Sequence, residues 1–195
     1  MKKFVRFIAL TVAMIGASFA AQAEMEYEER VLGDPNAPVT MIEYASMTCP
    51  HCASFHIETL PQIKKDFIDT GKVKMIFRDF PFDRVGATAA LISRCVAPER
   101  YNGFVDLLMK QQSKWARSVT PLADITRLAK LAGLSQEKVD SCLENTKLLD
   151  KIISVRKEAM DNYKIQSTPS FVINDEVVVG GGDYEKFKNI IESKL

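Results

Sequence analysis

Two cysteines separated by two residues stand at the start of a predicted helix, in the sequence Cys49-Pro50-His51-Cys52. This spacing places the Cys49 sulfur at the helix N-terminus, where free backbone N–H groups and the helix dipole stabilise a thiolate. Pro50 suits the first turn because its missing N–H costs no helical hydrogen bond. His51 can donate to the Cys49 sulfur or add positive charge beside it. Since a stabilised thiolate favours the reduced dithiol, the corresponding disulfide is predicted to be a strong oxidant.

Thiol–disulfide exchange is the reaction that this pair predicts. A substrate thiolate attacks the sulfur of Cys49 in the oxidised protein, and a mixed disulfide forms. A second substrate thiol then resolves the mixed disulfide and leaves Cys49 as a thiolate beside Cys52. We expect Cys49 to be the exposed, reactive cysteine and Cys52 to point inward.

Other uses of the cysteine pair are weaker but stay open. A structural disulfide with this spacing closes almost no loop and would therefore stabilise little. A metal site could use Cys49, Cys52 and His56 from one helix face, although no second pair with this spacing accompanies them. Haem attachment is excluded, because Ala53 rather than histidine follows Cys52. His56 by itself is interpreted as an ordinary helix residue and receives no role.

The elements that must position the pair follow from periodicity and turn residues. A β-prone run at 39–45 precedes the dithiol helix, which extends to about Asp69 with a kink expected at Pro61. The later elements are a strand at 73–80, several helices within 84–145, a long helix at 146–163, strands at 170–173 and 177–179, and a last helix from 183. Without 84–145 the order is β-α-β-α-β-β-α. The sequence thus predicts an α/β protein with a thioredoxin fold, built from 24–83 and 146–195, and an inserted all-helical subdomain at 84–145.

The first 23 residues have the pattern of a secretory signal peptide. A basic start is followed by an apolar run over 7–20 and by the small-residue cleavage pattern Ala21-Gln22-Ala23. The apolar run is too short to span a bilayer comfortably, and an uncleaved anchor is the alternative. Export would place the cysteines in an oxidising compartment, where disulfides persist.

Composition excludes several broad classes of protein. The 195 residues include 26 basic and 25 acidic side chains, for a net charge of +1, so the electrostatic footprint of a nucleic-acid binder is missing. Hydrophobic residues make up 47%, which is enough for a core and excludes general disorder. Four cysteines are too few for a disulfide-dense scaffold of this length.

Three segments together resemble the DsbA family of exported thiol–disulfide oxidoreductases. The segment 42–52, Ile-Glu-Tyr-Ala-Ser-Met-Thr-Cys-Pro-His-Cys, resembles the active-site strand and helix start of that family. Phe80-Pro81-Phe82, the helical insertion and Ser167-Thr168-Pro169-Ser170-Phe171 continue the resemblance over nearly the whole mature chain.

The resemblance implies roles for three further residues. Pro169 would be a cis proline that faces the dithiol, and the backbone of Thr168 would pair with an extended substrate peptide. Glu43 would be a buried acid below the dithiol that shuttles the proton of Cys52, whereas an edge-strand glutamate facing water is the alternative. Thr168 departs from the valine of the family's central oxidases and resembles the exported isomerases, which leaves the oxidising strength open.

A second cysteine pair, Cys95 and Cys142, lies within the predicted insertion. A structural disulfide between them is expected in an oxidising compartment, and two separate buried thiols are the alternative. Members of this branch of the family sometimes carry such a pair, which supports the bridge.

The function that the resemblance implies is a periplasmic oxidase. It would introduce disulfide bonds into reduced exported polypeptides and pass the electrons to a membrane quinone reductase resembling DsbB. We expect a monomer with no cofactor, no metal and no nucleic-acid partner. The alternatives are a disulfide isomerase or reductase of the same fold and, more remotely, a metal-binding or chaperone-like module without redox turnover.

Overall fold

A computed structural model of the protein describes residues 26–195. The predicted signal peptide, residues 1–23, lies outside the described residues. Between residues 26 and 195, no helix combines the length and the apolar character that crossing a bilayer requires.

A mixed five-stranded sheet lies at the centre of the part of the chain that the structure describes. Its strands are β1 (Val31–Leu32), β2 (Val39–Ala45), β3 (Val73–Asp79), β4 (Ser170–Ile173) and β5 (Glu176–Val179). Their order is β1-β3-β2-β4-β5, with β2 parallel to β3 and antiparallel to β4. Strand β2 is therefore central and nearly all buried, and it ends four residues before Cys49. The fold prediction is confirmed, although the two-residue strand β1 was not foreseen.

The helices surround this sheet. They are α1 (Pro50–Ser54), α2 (Leu60–Ile63), α3 (Arg84–Arg94), α4 (Pro98–Lys110), α5 (Gln112–Trp115), α6 (Pro121–Leu131), α7 (Gln136–Leu143), α8 (Thr146–Tyr163) and α9 (Tyr184–Glu192). Helices α3 to α7 form the helical insertion, and the disulfide between Cys95 and Cys142 joins the end of α3 to α7.

The dithiol helix follows a path that the sequence did not predict. Between α1 and α2 the chain widens into a π turn at Phe55–Thr59, and a second π turn follows at Lys64–Ile68. Pro61 has no N–H and its ring needs room in a helix interior, so a wider turn just before it keeps the helical path continuous. This wider turn lies directly before Pro61, the residue at which the sequence predicts a kink.

The helical insertion packs directly against the dithiol helix. Cys52 and Ala53 belong to one buried cluster with Phe104, Leu108 and Trp115 of the insertion. The inner face of the dithiol helix is therefore covered by apolar side chains, whereas its N-terminal tip stays accessible.

Candidate active site

The two cysteines of the motif differ in exposure. Cys49 is the N-cap residue of α1 and is half-buried, whereas Cys52 is 0% exposed. Both are free thiols in the structure. The backbone N–H groups of Cys52 and Ala53 donate to the carbonyl of Cys49 at 3.1 and 3.2 Å, which fixes the turn between the sulfurs. The arrangement has Cys49 at the helix tip and Cys52 inside, as the sequence predicts.

The two thiols also differ in acidity. A hydrogen bond from the Cys52 thiol lowers the pKa of Cys49 to about 5, although partial burial opposes this, and the backbone N–H groups of Cys52 and His51 act with it. Burial raises the pKa of Cys52 well above its ordinary range, and the charges of Glu43 and Cys49 act in the same direction. Near neutral pH the reduced site therefore holds one thiolate, at Cys49, and one thiol, at Cys52.

Pro50 and His51 form the first turn of this helix. Pro50 occupies the first helical position, as expected, and the basic side chain of His51 is exposed. In this structure His51 helps to lower the pKa of Cys49 through the backbone N–H of His51.

The loop before β4 faces the dithiol. The Thr168–Pro169 peptide bond is cis, and the carbonyl oxygen of Thr168 lies 3.3 Å from the Cys49 sulfur. Pro169 is buried, and the Thr168 hydroxyl is buried without a hydrogen-bond partner among the described residues. The cis proline that the family resemblance implied is thus present, in the loop that contacts Cys49, the more accessible of the two cysteines.

Gly181 supports this loop from behind, a contact that sequence reasoning missed. A side chain at Gly181 would place its Cβ 2.9 Å from Cβ of Phe55 and 3.0 Å from Cγ of Pro169. Only glycine allows the backbone to approach the cis proline and the dithiol helix this closely.

Glu43 lies beneath the dithiol and has a partner that the sequence did not reveal. It is 0% exposed on the central strand β2, so the alternative of an edge-strand glutamate facing water is wrong. Its Oε2 lies 3.0 Å from Nε2 of His56, which is 4% exposed. Among the described residues, Oε1 of Glu43 and Nδ1 of His56 have no hydrogen-bond partner. His56, to which the sequence assigned no role, is therefore the hydrogen-bond partner of the candidate acid Glu43.

The loop between β2 and α1 is braced by the helical insertion. The buried side-chain amide of Gln112 donates to the carbonyls of Met47 and Cys49, both at 2.9 Å. On the other side, the Thr48 hydroxyl donates to Asp83 at 2.6 Å, and Asp83 also caps α3. These contacts hold Cys49 at the helix tip.

The metal alternative has no support in the geometry. Within residues 26–195, no three His, Cys, Asp or Glu side chains come together as a possible metal site. His56 is directed to Glu43 by its hydrogen bond.

Known proteins are similar to this chain in both sequence and structure. The family model described as thioredoxin matches residues 26–193. A putative protein-disulfide oxidoreductase of Rickettsia bellii is 30% identical over 158 residues, which cover 80% of this chain and 61% of that protein. The chain thus spans about three fifths of the length of that relative.

Two further similarities extend over more of the compared protein. Disulfide bond formation protein D of Bacillus subtilis is 35% identical over 174 residues, which cover 85% of this chain and 76% of that protein. The crystal structure of alpha-DsbA1 from Wolbachia pipientis superposes with a TM-score of 0.79 at 35% identity, covering 85% of this chain and 89% of that one.

Proposed function

Since this chain belongs to the DsbA family of thioredoxin-fold proteins, we propose that it is a protein thiol oxidase. It donates the Cys49–Cys52 disulfide to reduced polypeptides that are exported with it to the periplasm. A membrane quinone reductase resembling DsbB then takes the electrons and restores the disulfide. Export is supported by the signal-peptide pattern of residues 1–23.

The unequal acidity of the two thiols is the observation that carries this proposal. A Cys49 pKa of about 5 means that the reduced protein holds its leaving sulfur as a stable thiolate near neutral pH. Whatever stabilises the reduced form raises the reduction potential of the disulfide. The site is therefore suited to accepting electrons from substrate thiols.

The exchange proceeds in two steps. A substrate thiolate attacks the Cys49 sulfur, the Cys49–Cys52 bond breaks, and its electron pair goes to the Cys52 sulfur, which takes up a proton. A second substrate thiolate attacks the substrate sulfur of the mixed disulfide, and the electron pair returns to Cys49 as the thiolate. Two electrons have then passed to the protein, and the substrate has gained one disulfide.

The loop around the cis proline supplies a place for the substrate backbone. Thr168 has its carbonyl oxygen 3.3 Å from the Cys49 sulfur. An extended peptide that paired with this backbone, as in other cases of strand addition, would run across the Cys49 sulfur. Recognition through main-chain groups suits an enzyme that acts on many unfolded sequences.

The redox equilibrium of Cys49 and Cys52 with glutathione buffers tests the proposal. Alkylation of the free thiols followed by mass spectrometry gives the reduced fraction of the protein. Cys49→Ser is the control, because it forms no Cys49–Cys52 disulfide. We expect a potential near the roughly −120 mV end of the known scale. A value near the roughly −270 mV of thioredoxin would contradict an oxidase.

An isomerase is the second candidate, and Thr168 is the residue that favours it. Threonine at this position follows the pattern of exported isomerases, and the carbonyl oxygen of Thr168 lies 3.3 Å from the Cys49 sulfur. Refolding of a substrate with scrambled disulfides separates the two functions, because only an isomerase restores its activity. Thr168→Val is the matched variant, since valine keeps the branched shape and removes only the hydroxyl.

A further inference from the structure

The guanidinium of Arg156, on α8, is partly buried and pairs with no carboxylate in the part of the chain that the structure describes. Its Nη1 donates to the carbonyl oxygen of Pro81 at 2.9 Å, and its Nε is buried without a hydrogen-bond partner among the described residues. Lys157 of the same helix, in contrast, pairs with Asp161 at 2.6 Å. A partly desolvated cation without a counter-charge is costly, so the position of Arg156 favours an anionic ligand.

Two phenylalanine rings hold this guanidinium in place. Its Cζ lies 5.3 Å from the ring centroid of Phe80 and 5.4 Å from that of Phe82, which is within the range of cation–π contacts. Phe80 is buried, whereas Phe82 is 49% exposed. Ile153 and Met160, which lie on the same side of α8 as Arg156, are also exposed. Phe82, Ile153, Arg156 and Met160 thus form a fixed charge within an apolar surface, which we call the Phe82–Arg156 patch.

This patch lies beside the dithiol. The loops after β2 and β3 leave the same edge of the sheet, because these two strands are parallel neighbours. Asp83, directly after Phe82, accepts a hydrogen bond from the Thr48 hydroxyl at 2.6 Å, and Thr48 directly precedes Cys49. The loop after β3 therefore flanks the dithiol on one side of β2, and the cis-proline loop before β4 flanks it on the other. A peptide that pairs with Thr168 and crosses the Cys49 sulfur would continue towards the patch.

We propose that the Phe82–Arg156 patch binds an acidic side chain of the substrate, about two to four residues from the reacting cysteine at the roughly 3.3 Å per residue of an extended chain. The inference rests on the proposed function and names a class of substrate for it. It adds a side-chain preference to recognition of the substrate backbone at Thr168.

The geometry of Arg156 suits a carboxylate better than a neutral side chain. Pro81 supplies the one acceptor that the guanidinium has among the described residues, so further N–H groups are left for a ligand. An arginine fork can donate two parallel hydrogen bonds to one carboxylate. The apolar neighbours keep part of the surrounding water away, which strengthens the attraction between the charges.

Asp83 does not take the place of this ligand. One of its carboxylate oxygens accepts from the Thr48 hydroxyl, and the other accepts from the backbone N–H of Gly86 at the start of α3. The carboxylate next to the patch in the chain is therefore occupied as the cap of a helix, and Arg156 stays available to the substrate.

Peptides with one cysteine test the patch through their rate of attack on the oxidised protein. Each peptide carries glutamate, glutamine or lysine at one of the proposed positions, before or after the cysteine. Acid quenching and mass spectrometry follow the loss of the Cys49–Cys52 disulfide in excess peptide. Each rate is divided by the rate of the same peptide with bis(2-hydroxyethyl) disulfide, which is uncharged, because a neighbouring glutamate also raises the pKa of the peptide thiol.

At the best position we expect wild type to react about fivefold faster with the glutamate peptide than with the glutamine peptide, the upper end of what a surface ion pair contributes. Arg156→Gln should abolish this preference, and Arg156→Glu should reverse it in favour of the lysine peptide. Each preference is a ratio measured within one variant, so a general loss of activity cancels. Arg84→Gln is the matched control, because it removes an exposed positive charge at the start of α3 and should keep the wild-type preference.

Three results would overturn the patch as a substrate site. They are equal rates of the glutamate and glutamine peptides with wild type at every position, a preference that survives in Arg156→Gln, and an equal loss in Arg84→Gln, which would indicate general attraction between charges. Failure of the proposed function is distinguishable from all three. If the wild-type disulfide reacted with none of the peptides, the proposed oxidase would fail and this inference with it.

Discussion

The Cys49 thiolate should make the reduced protein, but not the oxidised protein, gain stability as the pH rises. In the folded reduced protein the pKa of Cys49 is about 5, whereas its ordinary value is 9.0. A lowered folded pKa adds stability that is complete above the unfolded pKa and is lost as the pH falls through the folded one. The window is therefore pH 5 to 9, and a disulfide-bonded Cys49 has no such dependence.

Cys52 does not change the sign within this window. Its pKa is raised by burial, so its contribution is present below the unfolded pKa, near 9, and is lost only above it. Between pH 6 and 8 the Cys52 thiol is protonated in both folded and unfolded chains. The pH dependence of the difference between the two redox forms is thus assigned to Cys49.

The magnitude follows from the linkage relation. A full pH unit inside the window corresponds to about 1.4 kcal/mol. Because Cys49 is only half-buried, solvent screening weakens its interactions, and we take roughly half of that value. The unfolding free energy of the reduced protein should then rise by about 1.4 kcal/mol, relative to the oxidised protein, from pH 6 to pH 8.

Urea unfolding of both redox forms at pH 6, 7 and 8 measures this difference. The single tryptophan, Trp115, is fully buried in the helical insertion and reports unfolding by fluorescence. One equivalent of dithiothreitol reduces the Cys49–Cys52 pair, and a count of two thiols shows that the second disulfide has survived. Reduced Cys49→Ser is the control, because serine does not ionise here. Equal pH slopes for reduced wild type and this control would refute the reasoning.

Two further predictions concern the support of the site. Gln112→Leu removes the amide that donates to the carbonyls of Met47 and Cys49. We expect urea unfolding to show that the free energy of unfolding falls by about 1–3 kcal/mol. An unchanged value would mean that these carbonyls find other donors. Replacing Cys95 and Cys142 by alanine removes a cross-link over 47 residues and should cost about 4 kcal/mol in the chain-entropy model. A thiol count on the denatured, oxidised wild type should be zero, and two thiols would contradict the bridge.

Local sequence patterns were sufficient for the part of the site that is contiguous in the chain. The apolar run at 39–45, followed by cysteine and proline, predicts a strand leading into a helix tip, and the structure has this arrangement. The turn between the last two strands was likewise predictable, because Asn174 and Asp175 are residue types that tolerate positive φ angles. In the structure both residues have positive φ. In these places the local preference and the tertiary fold agree.

Contacts between distant segments could not be predicted from the same patterns. The bond between Glu43 and His56 depends on β2 being central and on a π turn at Phe55–Thr59. Neither property is visible in periodicity, because an α-helical wheel assumes regular turns throughout. A histidine four residues after Cys52 therefore looks like an ordinary helix residue until its strand partner is known.

The helical insertion influences the acidity of both active-site thiols, although it is not part of the thioredoxin fold itself. It covers the inner face of the dithiol helix with apolar side chains, among them Phe104 and Leu108. That cover buries Cys52, and burial is the largest cause of its raised pKa. A thiol kept protonated can donate its hydrogen bond to Cys49, and this bond is the largest cause of the lowered pKa there. The difference in pKa between Cys49 and Cys52, which favours an oxidising disulfide, thus depends on the packing of the insertion. Exposing Cys52 to water should lower the pKa of Cys52 and raise the pKa of Cys49.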